Sequence, residues 1–349
     1  MSDGHDTAIR DRLLRAAVTC VQRLAVGRGN ALPLLRQVAA LRWRIDPASR
    51  LFTPAEVEEH LGLPIEEWLD PSVRGDYTGP LQVAGFPSTT CLEIALEVDE
   101  LAYIEDVQGM IKRVRDLCRL QDGGEETYRR FRLYVIEHPL VDSTSGIQEL
   151  LVPLGIGVRD MYMSIPEHLK RNGEIYPCPV CGWPMTITAP AVACQSSWCV
   201  NKIGAWSWVS ARLVNNGSAK ELVGHAPGDA LMLRPPIWKF TLIPGLLELS
   251  LARRIEALGL PADLWPGVDA SDIETVVNGT VVTIDAKAWR SATRLATHLK
   301  TLDAARPTWI VVPDYMEKHV RFLSEQSPAS VSVHSETGCI RKLKSLCKH

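Results

Sequence analysis

Asn278-Gly279 constrains this chain more than any other pair of residues, because it lies between two β-branched runs, Ile273 to Val277 and Thr280 to Ile284. Both central residues of a type I′ turn need positive φ, and Asn-Gly meets that need, so the runs are expected to pair as an antiparallel hairpin. With Asn278 and Gly279 as the loop, Thr280 faces Val277, Ile284 faces Ile273, and Asp285 faces Asp272. Directly opposed residues share a face, with Cβ atoms roughly 4.5–5.5 Å apart. Lys287 lies two residues beyond Asp285 and projects to the same side. Two carboxylates that close repel unless a cation sits between them. Asp272 and Asp285 are therefore expected to hold Mg²⁺ or Mn²⁺, with Lys287 beside them to offset charge at a phosphoryl group. Asp269 falls opposite Ala288 on the other face and is expected to be a turn residue or a support for the ligands. A bulge would shift the register and exchange the roles of Asp269 and Asp272. A solvated strand end is the plain alternative for the whole set.

The flanking sequence gives the hairpin a context. Ile237 to Leu242 is expected to be a strand, and Ile243 to Gly259 a helix with Pro244 near its start and Gly259 at its end. Arg290 to Leu302 is expected to be a second helix and Thr308 to Pro313 a buried strand. Helix, strand, strand ending in Asp-x-Lys, helix, strand resembles the core of the PD-(D/E)xK restriction-endonuclease superfamily over residues 236–349, although Pro266 adjoins neither aspartate. The resemblance implies an α/β domain with a mixed sheet and metal-dependent phosphodiester hydrolysis. It also makes Glu248 a candidate site residue, since superfamily members often carry a glutamate on the helix before the hairpin. A first-turn glutamate favoured by the helix dipole explains Glu248 equally well.

A second signal is independent of the first. Cys178 and Cys181 form a C-x₂-C pair, and Cys194 and Cys199 form a C-x₄-C pair twelve residues later. Four thiolates suit tetrahedral Zn²⁺, and four protein ligands leave no open position, so a structural zinc ribbon is expected. Gly182 directly after the second cysteine lets the chain turn tightly around the metal. Trp183, Trp198, Trp206 and Trp208 surround these cysteines, either as the core of a small metal-held module or as stacking platforms for bases. Cys20, Cys91 and Cys118 are isolated and read as buried small hydrophobes. None of the histidines shows ligand-like spacing.

Upstream, residues 1–70 are helical in pattern, with apolar positions at helical spacing from Ala8 to Val26 and from Leu32 to Trp43. Thr53-Pro54 opens a further helix that ends at Gly62. That segment resembles the first helix and turn of a helix-turn-helix, but no long recognition helix follows. Asp70 to Thr90 reads as a linker or long loop, Cys91 to Leu120 and Glu125 to Glu137 as helices, and Asn215 to Gly228 as a connector. The expected organisation is multidomain: a helical domain at 1–70, a helical middle domain at 91–175, the ribbon at 176–215 and the nuclease-like domain at 236–349. Tyr128-Arg129-Arg130-Phe131-Arg132 either meets a phosphate backbone or forms the charged face of an amphipathic helix.

A net charge of −3 in 349 residues excludes binding nucleic acid by overall basic character, so contacts must come from local patches. Arg341, Lys342, Lys344 and Lys348 form such a patch or a solvated tail. No signal peptide or membrane-spanning run is evident, which places the chain in the cytoplasm with its nine cysteines reduced.

The ribbon, Tyr128 to Arg132, Pro244-Gly245-Leu246-Leu247-Glu248, and Trp265-Pro266 leading to Asp269, Asp272 and Asp285-Ala286-Lys287 together resemble one bacterial family. It is the restriction-endonuclease-like protein found with a prokaryotic PIWI-like protein and a helicase in three-gene defence islands. The resemblance implies DNA cleavage against phage or plasmids, with a PIWI-like protein and a helicase as partners. A homodimer is left open. The alternative function is a non-catalytic DNA-binding or scaffold subunit, in which the ribbon makes the contacts and the nuclease-like fold only supports it.

Overall fold

The computed structural model describes residues 3–27, 31–83, 85–97, 102–142, 147–187, 191–289, 291–302 and 307–347. Two compact units result, residues 1–105 and 106–349.

The first unit is helical. Helices α1 (Asp3–Val26), α2 (Leu32–Ile45) and α3 (Pro54–Leu61) bury Leu13, Leu14, Ala17, Val38 and Val57, the apolar positions set by the 3.6-residue repeat. Thr53 caps α3 through a reciprocal pair of hydrogen bonds with Glu56. After it comes only a three-residue turn, Ile65–Glu67, so no recognition helix completes a helix-turn-helix. The stretch from Asp70 to Thr90 is not a free linker. It folds back as a short helix (Pro71–Arg74) and a small hairpin, and it buries Tyr77 and Leu81 in this unit's core. Its Pro, Gly and Ser residues shape turns, while these apolar residues anchor them. Helix α4 (Thr89–Glu97) follows and buries Cys91, which lies near the equally buried Cys20.

The second unit starts within α5 (Ala102–Arg119) and continues through α6 (Gly124–Glu137). Strands β1 (Leu140–Val141) and β2 (Tyr162–Ser164) flank β8 (Leu231–Leu233) in a small sheet. Between them lies an antiparallel five-stranded sheet, β3 (Thr186–Ile187), β4 (Ala191–Ala193), β5 (Trp206–Val209), β6 (Arg212–Asn215) and β7 (Glu221–Leu222), with α7 (Ser197–Ile203) inserted after β4. The expected connector after Asn215 therefore contributes a strand.

Pro235–Ile237 opens a helical run that passes through a π-helical turn, Trp238–Leu242, into α8 (Ile243–Glu256). The strand expected at Ile237 to Leu242 is helical instead. Trp238, Phe240 and Leu242 alternate with Lys239 and Thr241 as in a strand, but the helical run buries Lys239 and Thr241 as well as Trp238 and Leu242. The π turn also accounts for Pro244 lying inside a helical run. A proline there removes one N–H and crowds the carbonyl four residues earlier, and a widened turn relieves the conflict.

The last sheet is mixed. Its order is β9 (Asp263–Leu264), β10 (Ile273–Val277), β11 (Thr280–Ala286), β12 (Thr308–Val312) and β13 (Val331–Ser335). The first two pairings are antiparallel and the last two parallel. The hairpin pairs Val277 with Thr280 and Ile273 with Ile284, the register set by Asn278-Gly279. Helices α8 and α11 (Glu336–Leu346) share one apolar cluster with Ile273, Ile284 and Val311. Helices α9 (Ala292–Lys300) and α10 (Val320–Gln326) share another with Ile310, Val312 and Val333. Alternation along each strand sorts these residues between two faces. The first of these clusters runs without a break from Met110 through the cysteines to Leu343. Among the described residues, no helix is long and apolar enough to cross a membrane.

Candidate active site

The hairpin register delivers Asp272 and Asp285 to each other. Ala286 N–H donates to Asp272 Oδ2 at 2.6 Å, and Asp272 N–H donates to Asp285 Oδ1 at 3.3 Å. Lys287 Nζ lies 3.9 Å from Asp272 Oδ2 and 3.9 Å from Asp285 Oδ2, equidistant and beyond hydrogen-bond length. Lys287 is fixed by its own backbone, since its N–H donates to the carbonyl of Val311 on β12. All three side chains keep partial access to solvent, at 17%, 27% and 22% exposure for Asp272, Asp285 and Lys287.

Their electrostatics are strained in a way that suits a cation. Burial pushes the Asp272 carboxyl well above its usual range; Glu248, Asp285 and Asp269 push the same way, and Lys287 opposes them. Burial disfavours the Lys287 ammonium, but Asp272, Asp285, Glu248 and Asp269 outweigh it and hold the proton more tightly than usual. An excess of carboxylates around one amine, with oxygen donors facing each other across a ladder, fits a hard divalent cation. Among the described residues, however, no third His, Cys, Asp or Glu joins the two aspartates in a cluster with ligand atoms within 4.8 Å of one another.

Asp269 and Glu248 stand apart from this pair, each with its own partner. Asp269 lies 3.5 Å from Arg115 Nη1, at the end of a turn with positive φ at Gly267, Val268 and Asp269. Glu248 is not a first-turn residue, because the helical run begins at Pro235. It is buried to 1% exposure and accepts from Arg132 Nη2 at 2.7 Å and from the indole N–H of Trp265. Arg129 meets Asp263 and donates to the carbonyl of Leu264 at 3.0 Å. Of the three arginines in Tyr128 to Arg132, two therefore hold α6 to the final sheet region, and Arg130 alone is exposed. Arg132 as the partner of Glu248 was missed from sequence. The available sign was its place in the apolar stripe of Tyr128, Phe131 and Val135, where an unpaired arginine would be costly.

The four cysteines meet as expected. All are buried, and their sulfurs lie within 4.8 Å of one another, with Cys181 and Cys194 at 3.7 Å. Zn–S bonds of about 2.3 Å in a tetrahedron separate sulfurs by about 3.8 Å, so the set can hold zinc. Gly182 has φ +67 and donates to the Cys178 carbonyl at 2.7 Å, closing the turn. Ser196 N–H donates to Cys194 Sγ at 3.4 Å and the Trp238 indole N–H to Cys181 Sγ at 3.5 Å. Trp183 stacks on Trp238, and Trp183, Trp198 and Trp206 are buried, so these three are core. Trp208 is half-buried beneath Arg171, whose guanidinium lies 3.8 Å from the ring centroid.

Residues 245–345 match the family described as a REase associating with pPIWI_RE. This is the family that the sequence motifs resemble, and the matched region contains Glu248, Asp269, Asp272, Asp285 and Lys287. No curated protein and no solved structure matches the chain.

Proposed function

We propose that the chain is a metal-dependent DNA endonuclease of a bacterial defence system, acting with a PIWI-like protein and a helicase. The observation that carries this reading is the convergence of Asp272, Asp285 and Lys287 within 3.9 Å at the end of β11 and the start of β10. Asp272 and Asp285 are the residues that would hold Mg²⁺ or Mn²⁺, and such an ion supplies Lewis-acid polarisation and a more acidic bound water. Lys287 keeps its proton and offsets negative charge developing at phosphorus. The Arg132–Glu248 pair sets the potential behind Asp272 without touching the reacting atoms. Asp269 supports the turn that leads into β10. The cysteine set holds a structural zinc, and the family's printed association supports a PIWI-like partner. The chain works in the cytoplasm; residues 1–105 form its helical unit, and the second unit carries a helical region, the ribbon at 176–215 and the nuclease-like region at 236–349.

A second reading, a non-catalytic DNA-binding or scaffold subunit, is favoured by one observation. Glu248, the acid best placed to be a third ligand, is already engaged by Arg132 and Trp265. A plasmid-nicking assay with Mg²⁺ or Mn²⁺ separates the two. Nicking by the wild type and none by Lys287→Ala supports the nuclease; no nicking by either, with DNA binding intact, supports the scaffold.

A further inference from the structure

At the carboxyl ends of the parallel strands β12 and β13 lies a cavity of about 350 Å³, lined among others by Trp198, Lys202, Arg254, Asp314, Tyr315 and Glu336. Pockets that take ligands run to roughly 300–1,000 Å³, and in open α/β sheets they favour this edge. The cavity occupies the edge on which Asp285 and Lys287 lie. Asp314 follows β12 and Glu336 follows β13, so the cavity begins one strand away from β11 and reaches two. Neighbouring strands are about 4.8 Å apart, which puts Glu336 on the order of 10 Å along the edge from Asp285.

The two carboxylates of the cavity are held internally, the two cations less so. Both Asp314 oxygens are taken by Thr337, whose N–H donates at 2.8 Å and whose hydroxyl donates at 2.7 Å. Glu336 is buried and accepts from the Trp198 indole at 3.3 Å and from Asp314 N–H at 3.4 Å. The two cations stand off from it, Lys202 Nζ at 4.0 Å and Arg254 Nη1 at 3.9 Å, and Arg254 Nη2 reaches only the Thr337 hydroxyl at 3.3 Å. Lys202 Nζ also lies over the face of Trp198, 3.9 Å from the ring centroid, which fixes the ammonium on one side and leaves its other side open to a ligand. Both cations are more than one-third exposed, at 39% and 35%. Lys202 and Arg254 are balanced by Asp314 and Glu336, so the lining is neutral overall, but the two cations reach neither carboxylate within hydrogen-bond distance and keep donors to offer.

We propose that this cavity binds a phosphate group of the nucleic-acid strand, through Lys202 from the ribbon helix and Arg254 from α8. This rests on the proposed nuclease function and deepens it: the ribbon touches the substrate through Lys202, and the strand runs along the sheet edge from this anchor to Asp285 and Lys287. A phosphate contact positions the strand and carries no sequence information.

The test is equilibrium binding, with cleavage silenced by Lys287→Ala and no divalent metal added. Salt titrations compare Lys287→Ala alone with added Lys202→Gln, Arg254→Gln, Arg254→Lys and the Lys202→Gln/Arg254→Gln pair, on duplexes with and without a 5′-phosphate. Each lost contact should lower the slope of log affinity against log salt by about 0.9 for duplex DNA, while Arg254→Lys keeps the slope. Equal losses on both duplexes assign the cavity to an internal phosphodiester, and losses only on the phosphorylated duplex assign it to a strand terminus. Wild-type slope and affinity in the paired variant, with zinc content unchanged, overturn the cavity while leaving the nuclease reading intact. No DNA binding by the Lys287→Ala protein overturns both. Should a Gln variant lose its fold, judged by melting temperature, inorganic phosphate titrated into the wild type decides. Competition with DNA at constant ionic strength supports the site, and its absence removes it.

Discussion

The cysteine knuckle and the aspartate edge are both clusters of metal donors positioned by tight turns, yet they are finished to different degrees. In the knuckle four sulfurs close on one point, all buried, with backbone and indole N–H groups directed at two of them. At the edge two carboxylates face each other, a lysine stands equally far from both, and each side chain keeps a route to solvent. A complete donor set has no position left for a substrate and serves folding. An incomplete one, with its charges unbalanced, is where added ions and reacting groups can enter. The contrast teaches that the number of donors brought together matters more here than their chemical type.

The sharpest way to break that contrast is to open the closed set. Cys199→Ser should lose zinc and much of the stability of the second unit, since metal binding of this kind is worth about 10 kcal/mol or more and is coupled to folding. Metal analysis and thermal melting measure it; a variant that melts with the wild type would mean that the knuckle needs no metal. Next in size is the buried pair behind the edge. Arg132→Ala should cost about 3–5 kcal/mol, because it strands the Glu248 charge. Arg132→Met with Glu248→Leu should recover most of that stability in denaturant titration, and failure to recover would point to a role beyond the charge.

Lys287→Ala comes third, with a loss of about 10²–10³ in nicking rate, or about 2.7–4 kcal/mol, and almost no change in melting temperature. A large fall in stability instead would make Lys287 a structural residue like the cysteines. The smallest effect separates the two aspartates that flank the turn. Asp272→Ala should stop nicking, whereas Asp269→Ala removes an ion pair with Arg115 and puts alanine at positive φ, which should cost about 1–2 kcal/mol while cutting continues. An inactive Asp269→Ala beside an active Asp272→Ala would exchange their roles.

These predictions draw on features of unequal legibility. The hairpin register could be read because Asn278-Gly279 fixes it locally, and the cysteine set because two short spacings bring its pairs together. Trp238 to Leu242 misled, because its apolar residues alternate with Lys239 and Thr241 as in a strand, whereas the helix buries those two as well. Glu248 was visible as a candidate, but its partner Arg132 lies 116 residues earlier, and no local rule connects them. Glu336 was missed for the same reason: its contacts come from Trp198 and Lys202 on α7, Arg254 on α8 and Asp314 after β12, three separate segments. Turn chemistry and ligand spacing are short-range and survive in one dimension, whereas charge pairing across layers does not.

The π turn at Trp238–Leu242 has a consequence for how this protein can be cut and recombined. Its Trp238 indole donates to Cys181, and the helix it opens carries Glu248. One continuous helical run therefore joins the cysteine knuckle to the buried Arg132–Glu248 pair. A fragment trimmed to the family-matched residues 245–345 would lose the front of that run and strip the cover from Leu247, Leu251 and Ile255. The family-matched region is thus not a cassette that evolution or an engineer can transplant alone, and the portable unit includes the cysteine knuckle and α6.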